Sequence, residues 1–157
     1  GGGEKEGSMD GLVKLKMVKI MNTESKRILI VDDEKDLRDL FADMLTLGGH
    51  QISTASNAFD AFAILKNGLF DLVISDVNMP QIDGPQFYMY AVEDYPYLKD
   101  RFLFVTSCVT EEFRTFLKRF DLNCMEKPLK LADFSMQVNT LLMRPFQGIS
   151  NLDKAVG

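Results

Sequence analysis

Five times along this chain a short run of apolar residues is followed by a segment whose apolar positions recur every three or four residues. Ile28-Leu29-Ile30-Val31 is the clearest run, apolar throughout and rich in branched side chains, as in a strand covered on both faces. Leu37, Leu40, Phe41, Met44 and Leu45 then lie on one helical stripe that Gly48-Gly49 ends. Gln51 to Ala55 is a weaker strand, and Ala58, Ala61, Phe62 and Leu65 repeat the helical spacing up to Asn67-Gly68. Leu72-Val73-Ile74-Ser75 is a third strand, and a turn from Pro80 to Pro85, with Asp83-Gly84, opens a helix through Phe87, Tyr90 and Ala91. Arg101 to Thr106 reads as the fourth strand, with Phe113, Phe116, Leu117 and Phe120 marking its helix. Cys124-Met125-Glu126 is the fifth, and Leu131, Phe134, Val138, Leu141 and Leu142 form the last helical stripe before Pro145. Strict alternation of this kind predicts an α/β fold: a mostly parallel sheet with right-handed crossovers and helices on both faces, a three-layer sandwich.

At 157 residues the chain suits one domain with tails. Residues 1–26, opening with Gly-Gly-Gly-Glu-Lys-Glu-Gly-Ser and lacking aromatics, read as a flexible arm; residues 27–143 are the domain and 144–157 a tail. Lys14, Lys16 and Lys19 within Leu12 to Met21 fall on no single helical face and alternate only briefly, so a short extra strand, a fraying helix and disorder are all open there, with disorder favoured. A net charge of −5 provides no basic field for a phosphate backbone or an anionic membrane, which argues against nucleic acid as a direct ligand. No apolar run approaches the roughly 20 residues of a membrane span, and no signal-peptide pattern opens the chain, so a cytoplasmic protein is expected. Cys108 and Cys124 read as reduced, buried thiols, and His50, after Gly48-Gly49, as a solvated loop residue. One histidine and two cysteines are too few for a zinc site, and a Ser or Cys triad has only His50 as its base.

In a parallel sheet the carboxyl ends of all strands share one edge, where ligands bind. The first strand runs into Asp32-Asp33, the third into Asp76, the fourth into Thr106, and the fifth is followed by Lys127-Pro128. Singly, each has an ordinary explanation, since an Asp after a strand caps helices and a loop Lys is solvated. Three converging carboxylates, however, repel one another unless a cation joins them. Lys127 and one divalent ion neutralise them, and an all-oxygen site suits Mg²⁺. A carboxylate beside Mg²⁺ can attack phosphorus to give an acyl phosphate, with a lysine and a hydroxyl holding the charged oxygens. Neither a Rossmann nor a P-loop glycine pattern follows the first strand, which argues against ATP as donor.

Ile-Leu-Ile-Val-Asp-Asp-Glu at 28–34, Asp-Val-Asn-Met-Pro-Gln-Ile-Asp-Gly at 76–84, Val-Thr at 105–106 and Glu-Lys-Pro at 126–128 resemble the signatures of receiver domains of two-component response regulators. The likeness runs from Arg27 to about Met143. It implies a flavodoxin-like (βα)5 sheet of order 2-1-3-4-5 and a phosphorelay protein that catalyses its own phosphorylation and dephosphorylation. By the same resemblance Asp76 is the phosphoacceptor, Asp33 a direct Mg²⁺ ligand, Asp32 a ligand largely through water, and the Asn78 backbone carbonyl a further ligand. Thr106 and Lys127 hold the phosphoryl group, and Pro128 follows a cis bond. The implied partners are a sensor histidine kinase or histidine phosphotransfer domain and a downstream protein. Where the family often has a switch aromatic, three residues before the lysine, this chain has Cys124, so Thr106 and Cys124 are the switch candidates.

A phosphohydrolase of the haloacid dehalogenase kind also uses an Asp nucleophile, but it needs a second Asp two positions on, where Asn78 stands. The 30 residues after Lys127 (128–157) are too few for a DNA-binding output domain, so a free-standing regulator or a receiver within a hybrid histidine kinase is expected.

Overall fold

In a computed structural model of the chain, residues 24–146 are described together with Gly11, so the rest of the arm before Glu24, including the stretch from Leu12 to Met21, and the tail after Phe146 lie outside the described residues. Ten elements alternate: β1 (Arg27–Val31), α1 (Lys35–Leu47), β2 (Gln51–Ala55), α2 (Ala58–Leu65), β3 (Leu72–Asp76), α3 (Gly84–Asp94), β4 (Phe102–Thr106), α4 (Glu111–Phe120), β5 (Asn123–Glu126) and α5 (Leu131–Leu142). A single 3₁₀ turn, Pro96–Leu98, joins α3 to β4. The five strands are all parallel, in the order β2-β1-β3-β4-β5.

Strand residues alternate between two cores. Leu29, Val31, Val73, Phe102 and Phe104 face α2, α3 and α4, packing with Ala61, Leu65, Phe87, Tyr88 and Phe113. Ile28, Ile30, Leu72, Ile74, Leu103 and Val105 face α1 and α5, where Phe41 and Phe134 stack at 4.3 Å. Burial on both faces is why β1, β3 and β4 read as continuous apolar runs in the sequence.

Local chemistry sets the helix ends. Asn57 caps α2 by accepting from the Asp60 N–H, and Thr110 caps α4 by accepting from Phe113 N–H. At α3, Asp83 and Gln86 form a reciprocal capping box next to Pro85. The Gly48-Gly49 stop holds, with Gly49 at φ +92 where a side chain would be strained.

Three expectations are corrected. The fourth strand begins at Phe102 instead of Arg101, whose buried guanidinium turns to the Leu141 and Arg144 carbonyls at the end of α5. His50 is buried, its Nδ1 accepting from the Lys26 N–H at 3.2 Å, because β2 starts immediately after it in a register that pairs Gln51 with Arg27 and so sets His50 beside Lys26. Burial holds its pKa below the ordinary imidazole value. Cys108 is exposed and Cys124 only half-buried, since one lies on the loop after β4 and the other on an edge strand; both are free thiols.

Candidate functional site at the carboxyl edge of the sheet

The order β2-β1-β3 reverses the direction of winding between β1 and β3, and this opens a crevice at their carboxyl ends. Register delivers the acids to it. Val31 lies opposite Ser75, so Asp32, next after Val31, adjoins Asp76, next after Ser75. Asp76 pairs with Val105, leaving Thr106 one residue further on, and Thr106 pairs with Glu126, leaving Lys127 one beyond. The Lys127 N–H donates to the Thr106 carbonyl at 2.8 Å, which fixes the two loops together, and the Lys127-Pro128 bond is cis.

Carboxylate oxygens of Asp32, Asp33 and Asp76 all lie within 4.8 Å of one another. Asp32 and Asp76 are buried and Asp33 is exposed at the mouth. The Lys127 ammonium stands 3.6 Å from Asp32 Oδ2 and 3.8 Å from Asp76 Oδ2. Asp76 Oδ1 accepts from the Val77 N–H at 2.7 Å, and Asp32 Oδ1 accepts from the Glu34 N–H at 2.8 Å. Each buried acid thus has one oxygen held by backbone and one turned to the lysine.

The charge state follows from this crowding. Burial, then repulsion from Asp32, pushes Asp76 up to about 6, against the opposing pull of Lys127 and the Val77 N–H. Burial also raises Asp32. Burial works against the Lys127 ammonium, yet Asp32, Asp76 and Glu34 together hold its pKa above the ordinary value. An oxygen-only donor set carrying excess negative charge fits a hard divalent cation such as Mg²⁺.

The structure therefore brings together Asp32, Asp33, Asp76 and Lys127. Thr106 is fully buried at the adjoining strand end, where its hydroxyl donates to the Cys108 carbonyl at 3.1 Å and accepts from the Cys108 N–H at 3.2 Å. Asn78 is exposed on the loop that leaves Asp76. Cys124 lies in β5 with its Sγ 3.7 Å from the Met125 carbonyl, and burial pushes its thiol up to about 11, so it is not a thiolate. Gly84 is a packing requirement of the site, since a Cβ there would stand 2.5 Å from the Asp76 carbonyl oxygen.

Two contacts lay outside the sequence expectations. Glu34 Oε1 approaches Lys127 Nζ at 3.4 Å, and the Arg38 guanidinium donates to the Asp32 carbonyl at 2.6 Å. Arg38 stands four residues after Glu34, the N-cap position of α1, which is one helical turn and is the one sequence signal that could have found it.

An open parallel sheet of order β2-β1-β3-β4-β5 with helices on both faces is that of a flavodoxin-like α/β domain, here with an acidic, lysine-countered cluster at the switch point. The chain matches the response regulator receiver domain family over residues 28–139, and it belongs to that family. It is similar to the response regulator protein FleR of Pseudomonas aeruginosa, 42% identical over 72 residues, which are 46% of this chain and 15% of that one. It is also similar to the sensor histidine kinase RcsC of Escherichia coli, 42% identical over 65 residues, 41% of this chain and 7% of that one. The match thus spans a small part of either relative. Among solved structures, the Vibrio cholerae chemotaxis protein CheY4 shares the fold, with TM-score 0.69 at 24% identity over 75% of this chain and 99% of that one. The response regulator protein TrrA of Thermotoga maritima, solved in complex with Mg²⁺-BeF, gives 0.62 at 29% identity over 74% and 98%. Among the described residues no helix is long and apolar enough to cross a membrane.

Proposed function

We propose that this receiver accepts a phosphoryl group on Asp76, in the cytoplasm, from the phosphohistidine of a sensor histidine kinase or phosphotransfer domain, and signals the change to a downstream protein. The observation that carries this reading is the convergence of Asp32, Asp33 and Asp76 within 4.8 Å, with Lys127 against the buried pair. Asp32, Asp33, Asp76 and the Asn78 carbonyl would hold Mg²⁺, which when bound supplies positive charge to the carboxylates and to incoming phosphoryl oxygens.

The chain's own residues do the rest. The Val77 N–H occupies Asp76 Oδ1 and leaves Oδ2 free to attack phosphorus. Oδ2 forms the new O–P bond as the bond from phosphorus to the leaving group breaks, and the leaving group departs with the bonding pair. Lys127, close to Oδ2, is placed to take one phosphoryl oxygen, and Thr106 to take another once its hydroxyl leaves Cys108. Asn78 at the second position after Asp76 provides no carboxylic acid to protonate a leaving group, which favours a stable acyl phosphate over phosphohydrolase turnover.

Incubation with acetyl phosphate and Mg²⁺, followed by intact-mass measurement, tests the reading. Wild type is expected to gain one phosphate that Asp76→Asn does not. An unchanged adduct in the variant would reject Asp76 as acceptor.

A further inference from the structure

The ammonium of Lys127 is the group that must meet the phosphoryl oxygen, yet its nearest partner lies outside the acid cluster. Glu34 Oε1 is at 3.4 Å, closer than Asp32 at 3.6 Å or Asp76 at 3.8 Å, and it makes the one side-chain hydrogen bond found for this ammonium among the described residues. The Lys127 side chain is only 16% exposed, so it has shed most of its water and needs acceptors, whereas Glu34 at 64% sits on the rim. Glu34 is built to reach inward. Its own N–H is tied to Asp32 Oδ1, and although it occupies the N-cap of α1 its side chain makes no capping bond, which leaves the carboxylate free for Lys127.

From this geometry we infer that Glu34 is a positioning residue that holds Lys127 in the unphosphorylated protein and must release it when the phosphoryl group arrives. The inference rests on the reading of Asp76 as acceptor. Its consequence is kinetic and one-sided. Going from the free protein to the transition state, the Glu34–Lys127 contact has to be given up, so it slows phosphorylation. Starting from the phosphorylated protein, Lys127 has already transferred to the phosphoryl oxygen, so hydrolysis of the acyl phosphate does not involve Glu34.

The test measures both rates in wild type, Glu34→Gln and Glu34→Asp, with acetyl phosphate and Mg²⁺ as the probe. Acetyl phosphate transfers its phosphoryl group to Asp76 and leaves as acetate with the bonding pair, so no further reactant is needed. A partly exposed ion pair of this kind is worth about two- to fivefold in a rate. Glu34→Gln is therefore expected to take phosphate about two- to fivefold faster than wild type, with an unchanged hydrolysis half-life. Glu34→Asp, one methylene too short to reach Lys127 while keeping the charge, is expected to behave like Glu34→Gln. If Glu34→Asp instead matches wild type, the effect is the field of a rim carboxylate on an anionic donor and the positioning role is rejected. Equal or slower phosphorylation of Glu34→Gln, or a parallel change in hydrolysis, rejects it as well. Absence of any adduct in wild type would overturn the acceptor assignment itself, an outcome distinct from equal rates.

Discussion

Replacing Asp76 with Asn is expected to stabilise the metal-free protein. The wild-type carboxyl, 7% exposed and beside Asp32, has its pKa pushed up to about 6 from 3.8. Each unit corresponds to about 1.4 kcal/mol, so keeping the carboxylate ionised in the native state costs up to about 3 kcal/mol at neutral pH. Asn keeps an acceptor for the Val77 N–H, loses the charge, and leaves Lys127 paired with Asp32 and Glu34. After relaxation of the pocket a gain of about 2 kcal/mol is expected, or roughly 6 °C in Tm for a domain of this size. The sign of the pH dependence follows from the raised pKa: between about 3.8 and 6 the native wild type binds the proton more tightly than the unfolded chain, so its stability falls as pH rises through that window. The advantage of Asp76→Asn should be near zero below pH 3.8, grow between pH 4 and 6, and level off above it. Thermal and urea unfolding in EDTA across this range is the assay. A variant less stable than wild type at pH 7.5, or a gain independent of pH, would refute the reasoning.

Asp33→Asn, at an exposed position, should change metal-free stability by less than about 0.5 kcal/mol while abolishing the rise in Tm expected of the wild type on adding Mg²⁺; a full Mg²⁺ shift in the variant would remove Asp33 from the proposed metal site. In Gly84→Ala the new Cβ would meet the Asp76 carbonyl oxygen at 2.5 Å and Val77 Cα at 2.9 Å, both backbone, so a loss of about 1–3 kcal/mol in urea denaturation is expected, with slower phosphorylation. On activation with beryllofluoride, amide NMR shifts should be largest from Thr106 to Glu111 and at the start of α4, because the Thr106 hydroxyl must leave Cys108. Thr106→Ala should blunt these shifts and Cys124→Ser should leave them; loss of the α4 response in Cys124→Ser would make Cys124 part of the switch.

The fold and most of the candidate site were legible because both depend on local pattern and one general property of parallel sheets. Runs such as Ile28–Val31 and the stripe through Phe41 and Leu45 fix element type by their period, and alternation of strand with helix forces parallel strands. Once strands are parallel, the residues after each must share an edge, so Asp32, Asp33, Asp76, Thr106 and Lys127 could be grouped without coordinates. Tertiary structure alone decided the rest. That Glu34 reaches Lys127 across 93 positions, that Arg38 secures the Asp32 carbonyl, and that the Thr106 hydroxyl turns to Cys108 depend on distances between side chains from different loops. Burial of His50 and exposure of Cys108 reversed their sequence readings for the same reason. Periodicity says which face of an element is apolar, whereas the solvation of a single loop residue is set by what the packed sheet places over it.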